Sequence, residues 1–546
     1  MGFKHMAQGQ CGPERREGPL AARILRALPE IGRVGFGAYI AIVIVLLAFV
    51  NGQVAYYQQY GLAPYDLALL AAAVVLGVIA LAIMLGARKR LSRLLSSPRA
   101  FLLMTLIGTA LLVAVQLVVI FGARFETGWD VGVLTDFEHH ADQSTYFSTY
   151  PNQWFLAGFF SLVGGLCSQA GVDSYLVFTV IGALGVAASV GLSAYIGRAL
   201  AGPVAGMCAF TVAWVLLGLN PNILVPYSDA YGMLCPTLVL FLYVVVHNRA
   251  AQWLLMPFFM YIGYCIKPTA VFALAAPVAV EGLLALARLV PRDEDAPLKG
   301  RHAAAVRPDA WRGGFASRTL PLVGCAVLSL ALALGAAGLV ERQTRFTVDE
   351  SKAVGIPHYL MMGFNEEYNG VYSPEDFAFT SSFATVEERA AANLSAWWER
   401  VEQLGPVGIG ELFAKKAMLA YGEGAFTWRD WYFEDVFGEN EIVRWVYGIP
   451  DEEVTPAKLA PDDVVPWAWP AQVIWFMVLV GIVPASIARR ADRRLTAICL
   501  ALLMMSAFLL IFECRARYLF LFGPWFVVAG TIGWRKIGLG VLRRIR

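Results

Sequence analysis

Charge is scarce in this 546-residue chain: only 15% of its residues are Asp, Glu, Lys or Arg, 58% are hydrophobic, and the mean hydropathy is +0.59. A soluble assembly of this length could not clothe its surface with so few charges, so most of the chain must face lipid. Charge of one sign is lacking too. With 43 basic and 41 acidic residues the formal net charge is +2, which leaves no electrostatic footprint for nucleic acid. The eight cysteines (Cys11, Cys167, Cys208, Cys235, Cys265, Cys325, Cys499 and Cys514) stand singly, without a CxxC pair, so neither a disulfide framework nor a zinc site is indicated. The strict alternation of a membrane β-barrel is absent as well.

What is present is a series of long apolar runs, near 34–51, 65–86, 101–123, 153–171, 174–197, 203–219, 231–247, 252–289, 319–340, 467–488, 495–512 and 517–535. Most have roughly the 18 to 25 residues that a helix needs to cross about 30 Å of hydrocarbon, and the run 252–289 is long enough for two. The fold expected is all-α and polytopic, a bundle of about 12 to 14 transmembrane helices in a cell membrane. The first run lacks a following small-residue cleavage pattern and reads as a retained helix. Arginine and lysine gather in the N-terminal segment 1–33, in the loops 88–99, 288–318 and 489–494, and in the basic tail 536–546, which the positive-inside rule makes cytoplasmic. The polar stretches 52–64, 124–152 and 341–466 then face outward. The expected organisation is a bundle over 34–340 whose first outer loop, 124–152, is expected to be catalytic, an extracytoplasmic domain over 341–466, and C-terminal transmembrane helices over 467–535.

Within 341–466, Trp397, Trp398, Trp428, Trp431 and Trp445 sit among many acids, which is unlike a disordered tail. Helical spacing runs from Val386 to Leu419, with Pro374, Gly405 and Pro406 as breakers. Asn393-Leu394-Ser395 matches a glycosylation sequon. One counting problem arises. Three apolar runs separate the loop 124–152 from the polar stretch 220–231, and an odd number of crossings would put the two on opposite sides. Either one run does not fully cross or one hides a pair, and the resolution expected is that residues 153–167, with Gly164 and Gly165, lie partly along the membrane surface.

The loop after the third run carries Glu126, Asp130, Asp136, Glu138 and Asp142 together with His139 and His140, followed by Tyr150, Pro151 and Asn152. Polar loops are ordinary solvated surface. Asp130, however, follows Trp129 just beyond a span, where a carboxylate can act as a general base; Glu126 and Asp136 are the other catalytic candidates. A second cluster, Asn220-Pro221-Asn222 and Pro226-Tyr227-Ser228-Asp229, would hold Asp229 in a fixed turn, and a helix cap is the ordinary use of these residue types. Lys267 lies inside an apolar stretch at a cost of about 2.5 to 3.5 kcal/mol on insertion scales, and Pro268 beside it breaks the helix. Near the C-terminus Glu513-Cys514-Arg515-Ala516-Arg517-Tyr518 places two arginines on the outer side, against the positive-inside trend. Their planar forks suit phosphate oxygens, with Glu513 orienting one of them; a plain ion pair is the simpler use.

Trp129-Asp130 with Tyr146-Phe147-Ser148-Thr149-Tyr150-Pro151-Asn152-Gln153, then Pro226-Tyr227-Ser228-Asp229, Ile266-Lys267-Pro268, Met361-Met362-Gly363, Gly422-Glu423-Gly424-Ala425-Phe426-Thr427-Trp428 and Glu513-Cys514-Arg515-Ala516-Arg517-Tyr518-Leu519 come in an order that resembles the GT-C superfamily of membrane glycosyltransferases. Its relatives include protein O-mannosyltransferases and aminoarabinose transferases, and the pattern is similar to that of Gram-positive bacterial membrane proteins of this type. The resemblance implies that Asp130 is the first-loop acid that contacts acceptor or metal. Many relatives carry a DxD, DE or ED pair there, whereas this chain has a lone Asp130, so a divalent metal (Mg or Mn) stays open and no other cofactor is assigned.

The function expected is transfer of a sugar from a polyprenyl-phosphate-linked donor to an extracytoplasmic acceptor: a cell-wall polysaccharide, a glycolipid or a protein. Lys267, Arg515 and Arg517 would bind the donor phosphate. Asp229, Tyr227, His139, His140, Tyr150, Asn152 and Glu513 would position donor or acceptor. Membrane lipid is the other partner, and nucleic acid is not one. The competing class is a transporter or flippase of lipid-linked sugars. Transporters favour internal repeats with paired broken helices, and no convincing repeat is visible.

Overall fold

The computed structural model describes residues 20–50, 65–290, 308–426, 433–450, 465–488 and 492–545. The stretch 52–64, most of the basic loop 288–318, and Trp428 and Trp431 lie outside the described residues. Those described are nearly all helical, and the sole β-type pairing among them is an isolated bridge between Phe125 and Val436. Among the described residues nine helices are long and apolar enough to cross a membrane: Leu20–Phe49, Asp66–Ala87, Pro98–Ala123, Ser174–Ala201, Ser228–Val245, Pro268–Leu289, Leu320–Glu341, Ala468–Ser486 and Arg493–Ile511.

The other apolar runs take different forms. The run 252–289 splits into Arg249–Ile266 and Phe272–Leu289, because Pro268 forces Lys267 into extended backbone (φ −151°, ψ 114°) and cannot donate to the first helix. Pro203–Ala213 continues into a π-helical turn over Trp214–Gly218. The last run starts with a four-residue turn, Arg517–Phe520, before Gly523–Ile545, a helix that carries Arg535 and Lys536 in its middle. Trp154–Ala170 returns to the end of the bundle from which it starts. At its beginning Gln153 donates to the Tyr227 hydroxyl (2.9 Å), and just beyond its end Asp173 pairs with Arg124 (2.6 Å). Gly171, with φ of +66°, makes the sharp exit. The loop 124–152 and the stretch 220–231 therefore meet at one end, and the odd count of apolar runs between them is accounted for.

Basic residues collect at the opposite end. Arg494 donates to the Val244 carbonyl (3.0 Å), Arg493 pairs with Glu281 (3.0 Å), Lys536 donates to the Ala485 carbonyl (3.1 Å), and buried Arg33 reaches the Ser486 carbonyl. The helix Leu20–Phe49 packs against Phe272–Leu289, Ala468–Ser486 and Arg493–Ile511, so it is built into the bundle.

The segment after Glu341 folds over the end that holds Asp130. Its longest helix, Val386–Tyr421, opens on a capping box in which Thr385 accepts from the Glu388 amide while Glu388 accepts from the Thr385 amide. It kinks at Gly405 (φ 57°, ψ −178°), a backbone that the following Pro406 tolerates and that a side chain at 405 would resist. The half beyond the kink sinks among the bundle helices, and fully buried Tyr421 stacks on Trp475 (centroids 6.3 Å apart). This segment is thus continuous with the bundle and does not stand apart from it. The sequon falls on a buried residue: Asn393 accepts a hydrogen bond from Thr380 (3.0 Å) and is closed to modification in the folded chain.

Candidate functional site

The short helix Trp129–Thr135 places Asp130 in a half-buried position. Trp129 enters this helix with φ of +56°, a left-handed backbone that costs a bulky L residue roughly 1 to 2 kcal/mol. Both carboxylate oxygens are engaged by phenols: Tyr146 donates to Oδ1 (2.8 Å) and Tyr227 donates to Oδ2 (2.9 Å), while Gln153 donates to the Tyr227 oxygen. Burial, then the Asp130 charge, raises both phenols well above the usual tyrosine range, so they remain protonated donors. Asp130 is the acid here that faces neutral donors only in the hydrogen bonds it accepts from them, and this leaves its charge uncompensated by any cation in direct contact.

Two residues after Tyr227, Asp229 sits in the helix Ser228–Gly232, buried to 3% exposure. Lys267, 8% exposed, pairs with its Oδ1, and Arg517 donates to its Oδ2 (3.3 Å). Aromatic faces flank both cations. The Lys267 ammonium lies 4.2 Å from the Tyr518 ring centre, and the Arg517 guanidinium lies 5.1 Å from that of Tyr227. Tyr518 donates to Glu513 (2.8 Å), whose other oxygen accepts from Arg515 (3.4 Å). Asp130, Tyr227, Arg517, Asp229, Lys267, Tyr518, Glu513 and Arg515 are therefore linked without a gap. Gly232 makes the close approach possible: a Cβ there would lie 2.6 Å from the Leu521 side chain and 3.8 Å from the Lys267 Cβ.

The segment 341–466 walls the same region. Val354 donates to the Thr149 carbonyl (3.0 Å), Asp349 to the Ser148 hydroxyl (2.9 Å), and Cys514 to the Gly370 carbonyl (2.9 Å). Tyr150 stacks on Phe377 (6.1 Å) and tilts against Tyr146 (5.1 Å). Its phenol is raised by burial first, then by Tyr359, Tyr372 and Asp130 nearby. Lys416 is fully buried and donates to the Gly363 and Phe512 carbonyls (2.7 Å each), and burial pushes its ammonium down to about 8.

Other sequence candidates lie elsewhere. Asp136 and His139 pair with each other on the exposed surface (2.8 Å). His140 is buried as a strut, its Nε2 donating to the Leu134 carbonyl (3.0 Å) and its Nδ1 facing Ser161 (3.2 Å), so it is committed to the loop's own fold. Glu126 exchanges backbone hydrogen bonds with the stretch 434–435, and its carboxyl is raised by partial burial, then by Asp435, Asp173 and Glu434. Asn152 is exposed. Tyr146, Gln153 and Tyr518, by contrast, complete the network, although the sequence motifs that contain them give these three side chains no role. Tyrosine near a span end is routine in membrane proteins, and only tertiary contact distinguishes these three. Among the described residues no group of three His, Cys, Asp or Glu side chains is arranged to hold a metal ion. With Asp130 held by phenols, Asp229 by two cations and Glu513 by Tyr518 and Arg515, this donor set does not fit a divalent metal.

A family model described as a conserved hypothetical integral membrane protein matches residues 39–537. No curated protein and no solved structure is significantly similar to the chain.

Proposed function

The chain belongs to the conserved hypothetical integral membrane protein family, and from that premise we propose that it is a glycosyltransferase of the GT-C type, taking its sugar from a polyprenyl-phosphate-linked donor. The observation that carries the reading is the juxtaposition of two unlike carboxylate environments bridged by one tyrosine. Asp130 is held by phenols, and Asp229 is clasped by Lys267 and Arg517, with Tyr227 donating to the first and stacking under the cation of the second. Transfer needs a base and a cationic subsite side by side. An acceptor hydroxyl oxygen bonds to the anomeric carbon, the bond from that carbon to the phosphate oxygen breaks, and its electron pair stays on the phosphate. Asp130 takes the hydroxyl proton, and Lys267 and Arg517 meet the charge that grows on the leaving phosphate. The greasy bundle accommodates the polyprenyl tail. In this reading the site end is extracytoplasmic, because the basic loops gather at the other end.

The test is sugar transfer by purified protein with Asp130→Asn alongside. A positioned base is worth about 10² to 10⁴ in rate, so the variant is expected to lose transfer by at least about 100-fold. Full retained activity would remove Asp130 from the mechanism. Lys267→Met and Arg517→Leu are expected to weaken use of the donor more than of the acceptor, and an unchanged donor KM in both would sink the phosphate role.

A further inference from the structure

Asp229 gives one oxygen to each of two cations, Oδ1 to Lys267 and Oδ2 to Arg517, in a pocket where it and Lys267 are almost fully buried. Asp130, through Tyr227, and Glu513, through Tyr518 and Arg515, are the further carboxylates of the same network. The carboxylate presents two oxygens across a single atom, as does a phosphodiester with its two non-bridging oxygens, and each carries one negative charge. Rings on either side, Tyr518 and Tyr227, hold the cations in place whichever anion lies between them.

We propose that Asp229 is a resident counter-anion of the Lys267 and Arg517 subsite, and that the phosphate of an isoprenyl-linked substrate takes its place on binding. This rests on the transferase reading for the identity of the anion. The exchange costs little net charge, because one monoanion replaces another, and it explains how two cations stay buried when no substrate is bound. It also sets an order of affinity. Transfer converts the diester donor into a phosphate monoester of charge about −1.5 to −2. The isoprenyl phosphate product then binds the two cations more tightly than the donor does, and its release slows turnover.

Thermal unfolding of the full chain in detergent tests the exchange, with farnesyl phosphate, farnesol and inorganic phosphate as probes. Asp229→Asn removes the carboxylate that both cations share, so the variant is expected to melt below wild type, and farnesyl phosphate is expected to restore it with a half-saturation at least about tenfold lower than in wild type. Farnesol is expected to do nothing, and Lys267→Met in the same background to cancel the response. Restoration by inorganic phosphate as strong as by farnesyl phosphate would support the exchange with free phosphate as the source; a response to farnesyl phosphate alone would support the lipid headgroup. Equal half-saturation in wild type and variant, or no response in either, overturns the proposal. If Asp229→Asn does not fold, carbodiimide labelling of wild type decides: farnesyl phosphate, and not farnesol, is expected to make Asp229 reactive, and unchanged labelling overturns the exchange. An absent exchange in a protein that transfers sugar leaves the transferase reading standing, and an exchange in a protein that turns over no donor has the opposite meaning.

Discussion

In the proposed transfer, Asp130 would act from between two phenols. Its two phenol partners can donate to a carboxylate but cannot neutralise it. An amide at this position offers one oxygen and one NH₂ group, so Asp130→Asn leaves one tyrosine hydroxyl facing a donor. We expect about 1 kcal/mol of lost stability beside the loss of transfer, measurable as a small drop in melting temperature with the protein still monodisperse. Tyr227→Phe removes the hydroxyl and keeps the ring under Arg517, so transfer is expected to fall about tenfold while donor KM stays within a factor of about two; an equal fall in Tyr227→Ala would mean that the hydroxyl, and not the ring, is what matters. His140 supplies a pH signature. Burial lowers its pKa below 6.5, so the unfolded chain takes up the proton first. The stability it contributes is present above the unfolded value and is lost as pH falls through the lower folded value. Wild type is therefore expected to lose more melting temperature than His140→Gln between about pH 7.5 and about pH 5.5. Equal losses would contradict the strut.

At the scale of elements, the site is made by interruptions. Pro268 ends one helix at Lys267, Pro226 and Tyr227 precede the short helix that carries Asp229, and the turn Arg517–Phe520 interrupts the last run. Each interruption was legible, because a proline or a charge inside an apolar run is conspicuous when lipid is the solvent. The pairing of the interruptions was not. Nothing in local spacing says that residue 227 will reach residue 130, or that 517 will reach 229, since such contacts are decided by how helices far apart in the chain pack. The same reason hid Lys416, which reads as an ordinary charge on a helix beside Lys415 until the helix is found sunk in the bundle. Gly232 tests the packing directly. Gly232→Ala puts a methyl group against the Leu521 side chain and near the Lys267 Cβ, and overpacking of this kind costs about 1 to 3 kcal/mol. We expect a lower melting temperature and weaker donor use, with acceptor KM unchanged; a variant indistinguishable from wild type would mean that the three elements meet more loosely than the structure has them.

For the molecule as a whole, charge is divided between two ends. Basic side chains close on helix-end carbonyls at one, and the carboxylate, tyrosine and cation network fills the other, beneath the segment that follows Glu341. Membrane insertion, helical class and the return of Trp154–Ala170 follow from composition, run length and crossing parity, which are properties of the whole chain and so survive local ambiguity. Among the described residues nine helices are long and apolar enough to span, while other apolar runs counted toward the 12 to 14 expected are broken or carry charge. Lys416 ties the segment after Glu341 to the bundle, donating to Gly363 in the one and Phe512 in the other. Lys416→Met leaves two buried carbonyls without that donor and is expected to cost about 2 to 4 kcal/mol, read by denaturation of the purified protein. The central claim is met most directly by incubating purified wild type with a panel of radiolabelled polyprenyl-phosphate sugars and an extract of envelope acceptors, and by quantifying transferred label and released polyprenyl phosphate together. At least one donor is expected to be consumed with the two products in equal amounts, and Asp130→Asn is expected to form neither; binding or liposomal translocation of the same lipids without any transfer would overturn the transferase reading and favour a transporter.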